Sequence, residues 1–295
     1  MGHPFYLVDV FAETKYAGNQ LAVIRNASGL SDTEMQSIAR EMNYSETTFI
    51  LSDREREGGY DVRIFSLDQE LPFAGHPTLG TSFIIQQELV GKPVDEIRLN
   101  LQVGQIPVKF SYENDRPGEL WMKQVEPVFG QDFNKEEVAA VLNIDKDLVD
   151  PVFPVQAAST GLPFIIVPLI SLDAVRSCRI DHALYEKLIA QSEAKSILVF
   201  CPEAYSPANQ VNARMFDLYH GIAEDPATGS ANGCLAAYLV KNRYYNNKEI
   251  DVRAEQGYEI GRPSLLLLRA KESEEGAISV YVGGRVIMVG RGELV

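Results

Sequence analysis

Residues 73–85 read FAGHPTLGTSFII, and residues 226–240 read PATGSANGCLAAYLV. Each stretch turns on small residues and then runs into an apolar helix. From Cys234 to Val240 the second helix has almost no polar face, so it must be wrapped on every side. The longest apolar run, LPFIIVPLI at 162–170, is far short of the roughly 20 residues that span a bilayer and holds two prolines. With no membrane to cover it, the helix needs a curved sheet. Each half of the chain is therefore expected to be a strand-rich shell around one central helix, an α+β fold.

Working outward, the two glycine turns prove to be part of a longer repeat. Setting Gly75 on Gly229 gives an offset of 154 residues. RIFSL at 63–67 matches RMFDL at 214–218 at 151, and EIRL at 96–99 matches EIDV at 249–252 at 153. Upstream, SDTE at 31–34 is a capping box followed by Met35, Ile38 and Met42 on one helix face. Its counterpart begins at Asp181, 150 residues from Ser31, with Leu184 and Leu188 one turn apart. Four features in one order at nearly constant spacing predict two homologous halves.

Composition narrows the function classes. The 295 residues are 45% hydrophobic, enough for real cores, and 27 Lys plus Arg against 41 Asp plus Glu leave a net charge of −14. Such a surface repels nucleic acid and anionic membranes. Three cysteines, Cys178, Cys201 and Cys234, have no CxxC or Cys/His spacing, so neither a disulfide framework nor a metal site is expected, and a cytoplasmic protein is. MGHPFYLVDV at the start reads as a first strand rather than a leader. No GxGxxG follows a strand and no GxxxxGK[ST] occurs, which removes the usual support for nucleotide folds.

A helix start carries unpaired N–H groups and partial positive charge, and so holds anions without basic side chains. Both glycine turns end in such a start. Superposing the repeats puts His76 opposite Ser230, with Pro77 just inside the first helix. If the halves face each other about a pseudo-two-fold axis, both starts point into one cleft, a trap for a carboxylate. The bland alternative is a pair of ordinary caps, against which the duplication argues. Glu46, in NYSETTFI, reads by itself as a solvated loop carboxylate; the residue 151 positions on is the apolar Ile197, so the acid belongs to one half alone. Asp225, in EDPATGS, either caps an Asp-Pro turn or serves the same cleft. His3, His182 and His220 fall in no motif and are assigned to surface or core.

FAGHPTLGT (73–81), EDPATGSANG (224–233), AGNQLAV (17–23), YSETTFI (44–50), and QGYEIGRPS (256–264) followed by VGG (282–284) together resemble the phenazine-biosynthesis isomerase (PhzF-like) family of the diaminopimelate epimerase superfamily. The resemblance implies two pseudo-symmetric half-barrel domains, each round a central helix, with the active site in the cleft between them, a homodimer, and no cofactor. Carried over by position, the family's acid/base glutamate falls on Glu46 and its supporting residues on His76, Asp225 and Ser230. Substrate would also meet Gly75, Gly229 and Thr228. The superfamily's paired racemase thiols fall on Ala74 and Thr228, which cannot take a proton from carbon. In the superfamily the final strand returns to the first domain, so the expected boundaries are 1–115 with 286–295, and 116–285, joined through a linker at NDRPG (114–118).

The expected activity is cofactor-independent isomerisation. Glu46 removes a proton from an allylic carbon of a small unsaturated or cyclic carboxylic acid and returns it to another carbon on the same face. The helix starts, His76 and Ser230 hold the charge, while Asp225 orients His76 or binds an amino or hydroxyl substituent. The best-known family members imply dihydro-hydroxyanthranilate-like substrates. The alternative class is a small-acid binding or regulatory protein on the same scaffold. Hydrolysis through GSANG (229–233) is disfavoured because that stretch is not a GxSxG elbow.

Overall fold

The computed structural model describes residues 2–295. The elements run β1 (His3–Val10), β2 (Asn19–Ile24), α1 (Asp32–Met42), β3 (Glu46–Ile50), β4 (Tyr60–Ser66), β5 (Glu70–Leu71), α2 (Gly75–Ile85), β6 (Glu96–Leu101), β7 (Gly104–Glu113) and β8 (Arg116–Lys123). They continue with β9 (Val128–Phe133), α3 (Lys135–Val141), β10 (Val155–Ser159), β11 (Pro163–Pro168), α4 (Leu172–Ser177), α5 (His182–Ala190), β12 (Ser196–Cys201), β13 (Val211–Asp217) and β14 (Ile222–Asp225). The last are α6 (Gly229–Lys241), β15 (Glu249–Gln256), β16 (Ser264–Glu272), β17 (Ile278–Gly284) and β18 (Val286–Leu294). Packing divides the chain into one unit of Met1–Met122 with Gly283–Val295 and another of Lys123–Val282.

In the first unit β18, β1 and β2 are antiparallel neighbours, β2 runs parallel to β3, and β3 is antiparallel to β4. β4 runs parallel to β6, which continues antiparallel into β7 and β8. The second unit repeats the plan: β9, β10 and β11 antiparallel, β11 parallel to β12, β12 antiparallel to β13, β13 parallel to β15, and β15 antiparallel to β16. Parallel neighbours need a crossover, and helices supply all of these. α1 links β2 to β3, α2 links β4 to β6, α4 and α5 link β11 to β12, and α6 links β13 to β15.

The second helix of each plan is the wrapped one. Every residue of α2 from His76 to Ile85 is buried, against β1, β2, β3, β6 and β7. α6 is buried continuously from Ala231 to Val240, against β10, β11, β15 and β16. On the opposite face of the first sheet, α1 buries Met35 and Ala39 against Phe49 and Phe65. On that of the second, α3, α4 and α5 cover Ile197, Val199 and Phe216. Ser31 and Glu34 form the expected capping box, and Asp181 caps α5. Among the described residues no helix is long and apolar enough to cross a membrane.

Two expectations need correction. NDRPG is not a linker: Asn114 and Asp115, with φ of 51° and 61°, form the tip of the β7–β8 hairpin. Two successive left-handed residues are what a tight hairpin turn demands. The division falls instead between Met122 and Lys123, at the far end of β8. Ile197, likewise, is not the counterpart of Glu46. Phe65 pairs with Thr47 and Phe216 with Ile197, so Ile197 corresponds to Thr47. One step along the ladder, Glu46 opposite Ser66 corresponds to Ser196 opposite Asp217. Strand alternation agrees, because Ile197 faces the outer helices while Ser196 shares the inner face with Phe200, whose ring meets Tyr238 of α6 at 5.7 Å.

Candidate active site

The four peripheral α-helices are capped by side chains: Ser31, Asn134, Ser171 and Asp181 each accept a first-turn N–H. The two central helices differ. α2 starts after Ala74, which has no oxygen to offer, and α6 starts after Thr228, whose side chain caps nothing. Their first turns keep the polarity that attracts an anion.

In the first unit this start carries His76, buried, with its Nε2 3.4 Å from Glu46 Oε2. Glu46 opens β3 on the face that looks at α2, the face on which Thr48 meets the Thr81 hydroxyl at 2.8 Å. Burial pushes the His76 imidazole down to about 3, against a hydrogen bond with the Gln20 backbone that acts in the other direction. The ring is therefore neutral at physiological pH. Nε2 makes no hydrogen bond, so the bond to Gln20 uses Nδ1, and a neutral ring donating there presents a lone pair at Nε2. The 3.4 Å contact is accordingly longer than a charge-assisted bond and sets Glu46 beside an uncharged ring.

In the second unit the start of α6 is held by a network. Thr228 donates its hydroxyl to Asp225 Oδ2. Buried Gln256, at the end of β15, donates through Nε2 to the Asp225 carbonyl at 2.8 Å and to Thr228 Oγ1 at 3.1 Å. Its Oε1 accepts from Asn232 Nδ2 at 2.7 Å and from the Thr228 N–H at 3.3 Å. The next residue must be glycine: Gly257 has φ +80°, and a Cβ there would lie 2.6 Å from the Pro226 carbonyl. Ser230 sits in the first turn of α6, and its carbonyl accepts from Thr160 at 3.4 Å. Cys234, a turn further in, is buried against Thr160, and burial pushes its thiol up to about 12, which leaves it no thiolate chemistry.

An arginine braces each approach to these starts. Arg63 makes a bidentate pair with Glu70 at 2.7 and 2.6 Å, and Arg214 makes one with Glu224 at 2.9 and 2.7 Å. Arg214 is the more deeply buried and also donates to the carbonyls of Val175 and Cys178.

The structure thus brings Glu46 and His76 together, with Gly75, in the first unit. It brings Asp225, Thr228, Gly229 and Ser230 together in the second. Gln20, Gln256 and Asn232 were not anticipated. They lie in AGNQLAV, QGYEIGRPS and EDPATGSANG, the stretches already noted, and that is their only signal.

Residues 8–292 match the family described as phenazine biosynthesis-like protein. The chain belongs to this family. A trans-2,3-dihydro-3-hydroxyanthranilate isomerase of Pseudomonas chlororaphis is 35% identical, over 99% of this chain and 99% of its own. An uncharacterized isomerase of Pasteurella multocida is 36% identical over 99% of this chain and 94% of its own. This PhzF-family chain is accordingly an isomerase. The crystal structure of a Bacillus anthracis PhzF-family protein superposes with a TM-score of 0.91 at 26% identity, covering 100% of this chain and 99% of that one. A probable proline racemase of Agrobacterium radiobacter shares the fold alone, with a TM-score of 0.66 at 11% identity over 99% of this chain and 93% of that one.

Proposed function

We propose that this PhzF-family isomerase shifts a proton between carbons of a small unsaturated or cyclic carboxylic acid, with Glu46 as the single acid/base group. The contact that carries the reading is Glu46 Oε2 beside the neutral Nε2 of His76 at the uncapped start of α2. A neutral imidazole adds no positive charge that would lower the basicity of the carboxylate beside it. Glu46 takes the allylic proton, leaving an enolate-like charge spread over the conjugated acid. Its protonated carboxyl then donates to a different carbon on the same face, and the lone pair of His76 Nε2 steadies that protonated form. The net change is a moved double bond with no oxidant, reductant or cofactor.

The charge is held by the first-turn N–H groups at Gly75–His76 and Gly229–Ser230, and Ser230 and Asp225 meet the polar substituents. The reading requires both helix starts to serve one substrate. It also carries a homodimer in the cytoplasm, which size-exclusion chromatography with light scattering tests. The trans-2,3-dihydro-3-hydroxyanthranilate named for the Pseudomonas relative is the first candidate substrate.

The deciding experiment incubates that acid and a panel of unsaturated acids in D₂O with wild type and Glu46→Gln. Wild type incorporates deuterium at the new carbon, and the variant loses about 10³-fold or more in rate. Equal exchange by both proteins removes Glu46 from the mechanism. With His76 neutral, no limb of the pH–rate profile above pH 5 belongs to its ring.

A further inference from the structure

On the side of the second sheet that α4 covers lies a groove of about 580 Å³, between the end of α4, the loop before β13 and the turn after β15. One wall is a pair of tyrosines, Tyr205 and Tyr258, whose rings stack with centroids 4.5 Å apart and planes 6° from parallel. Tyr258 covers one face of the Tyr205 ring, yet Tyr205 is still 41% exposed. The other wall carries Arg176 and Arg179, at the end of α4 and just beyond it.

Both walls are held in place. Glu255, fully buried, accepts from the Tyr205 N–H at 2.7 Å, the Ser206 N–H at 2.8 Å and Asn209 Nδ2 at 2.7 Å. The Tyr205 hydroxyl donates to Glu259 Oε1 at 2.8 Å, which ties the loop to the turn that carries Tyr258. Burial pushes the Tyr205 phenol up to about 12, with Glu259 adding to the effect and the Arg176 charge opposing it. The ring is therefore neutral, and an arginine stands within electrostatic reach of it. Arg179 is oriented through Nη1, which donates to the carbonyls of Arg176 at 2.9 Å and Cys178 at 2.7 Å. Among the described residues no carboxylate pairs with it. Arg176 pairs only with Asp173, at 3.2 Å on an exposed flank, a contact that holds little energy.

The first unit's groove beside α1 is smaller, about 370 Å³, and lacks the stacked rings. Its acids Asp32 and Glu70 are both paired with Arg63, its Arg40 donates to the Leu67 carbonyl, and its ring, Phe65, is buried. On a chain of net charge −14, an arginine without an acid is where an anion is attracted rather than repelled.

We propose that the groove beside α4 is a ligand site of the second unit that takes a flat aromatic ring bearing an anionic group. The ring stacks on the open face of Tyr205, and its carboxylate or phosphate meets the guanidinium forks of Arg179 and Arg176. Every residue of the site belongs to the second unit, and neither Glu46 nor either helix start takes part.

The experiment titrates two such ligands, 2-naphthoate and adenosine 5′-monophosphate, calorimetrically into the full-length protein. Each is compared with partners lacking one feature: 2-naphthol and adenosine lack the anion, while cyclohexanecarboxylate and ribose 5-phosphate lack the aromatic ring. Wild type binds at least one ringed anion about tenfold or more tighter than either of its partners. A preference for 2-naphthoate marks the occupant as an aryl carboxylate, and a preference for the nucleotide marks it as a nucleoside phosphate. Equal binding marks a site that reads ring and charge alone. Arg179→Gln lowers affinity for the ringed anion about tenfold and leaves its neutral partner within about twofold. Tyr205→Leu lowers affinity for the ringed anion about fivefold or more. Thermal melts confirm that the variants are folded, and if Tyr205→Leu melts early, Arg179→Gln, a change at an exposed side chain, decides alone. Wild type that binds neither ringed anion, or that prefers neither to its partners, overturns the assignment. So does binding that survives Arg179→Gln unchanged, because the ligand then sits elsewhere. Turnover does not enter the readout, so the result stands apart from that of Glu46→Gln.

Discussion

At one inner position of each ladder the first unit carries Glu46 and the second Ser196; on the next strand they carry Ser66 and Asp217, and on the hairpin beyond, Leu71 and Asp225. At the helix starts the pair is His76 and Ser230. The backbone plan, including both parallel crossovers and both arginine braces, is common to the two. A duplicated scaffold therefore holds two helix starts without side-chain caps, and the two copies differ in a few inner-face and first-turn side chains. The ladder N–H and C=O groups must be paired in both copies, so the sheet frame resists change while inner-face side chains do not.

The braces offer the largest measurable difference. Arg214 and Glu224 have side chains only 5% and 9% exposed, whereas Arg63 and Glu70 are 24% and 23% exposed. Removing one member of a buried pair leaves an uncompensated charge, so Arg214→Met is expected to cost about 3–5 kcal/mol in urea unfolding. Arg63→Met, nearer to water, is expected to cost about 1 kcal/mol. An Arg63 variant as unstable as the Arg214 one would show that the repeat position, not its burial, sets the cost.

A smaller contrast lies in the central helices. Gly80 occupies the place that Cys234 fills in α6, 154 residues on. A Cβ at Gly80 would meet Leu21 Cδ2 at 2.6 Å and Val10 Cγ2 at 3.0 Å, while at Gly233 the nearest atom is Gln124 Cγ at 3.1 Å. Overpacking outweighs the gain in helix propensity at the first site, so Gly80→Ala is expected to lose about 1–2 kcal/mol. Gly233→Ala is expected to change stability by less than about 1 kcal/mol. Equal melting shifts for the two would mean that Leu21 and Val10 relax around the methyl group.

The repeat, the two wrapped helices and the capping box were legible because each rests on periodicity or local chemistry that the chain spells out in order. The register of Glu46 was not. Loop lengths let the offset drift from 150 to 154 along the repeat, and only the ladder shows that the inner-facing residue is Ser196. Asn114 and Asp115 misled for another reason: left-handed turn residues look alike at a hairpin tip and in a linker. Gln256 and Asn232 acquire their roles only when the end of β15 comes beside the 225–228 turn, a neighbour 28 residues away in the chain for Thr228.

The caps turn the comparison between periphery and centre into an experiment on function. If Ala74 and Thr228 leave their helix starts open for substrate, closing one is expected to help the fold and hurt the enzyme. Ala74 has the extended backbone of an N-cap, φ −151° and ψ 143°, so a serine hydroxyl there is placed to accept a first-turn N–H of α2. Ala74→Ser is then expected to stabilise by about 0.5–1 kcal/mol and raise Tm by a few degrees. KM should rise about tenfold as the hydroxyl takes the donor that the substrate's carboxylate would use. Ser31→Ala is the mirror case, because Ser31 caps a peripheral helix that carries none of the proposed site residues. It is expected to lose about 1 kcal/mol and leave KM unchanged. A stabilised Ala74→Ser enzyme with wild-type KM would mean that the start of α2 is merely an uncapped helix, and the substrate's charge would have to be held elsewhere.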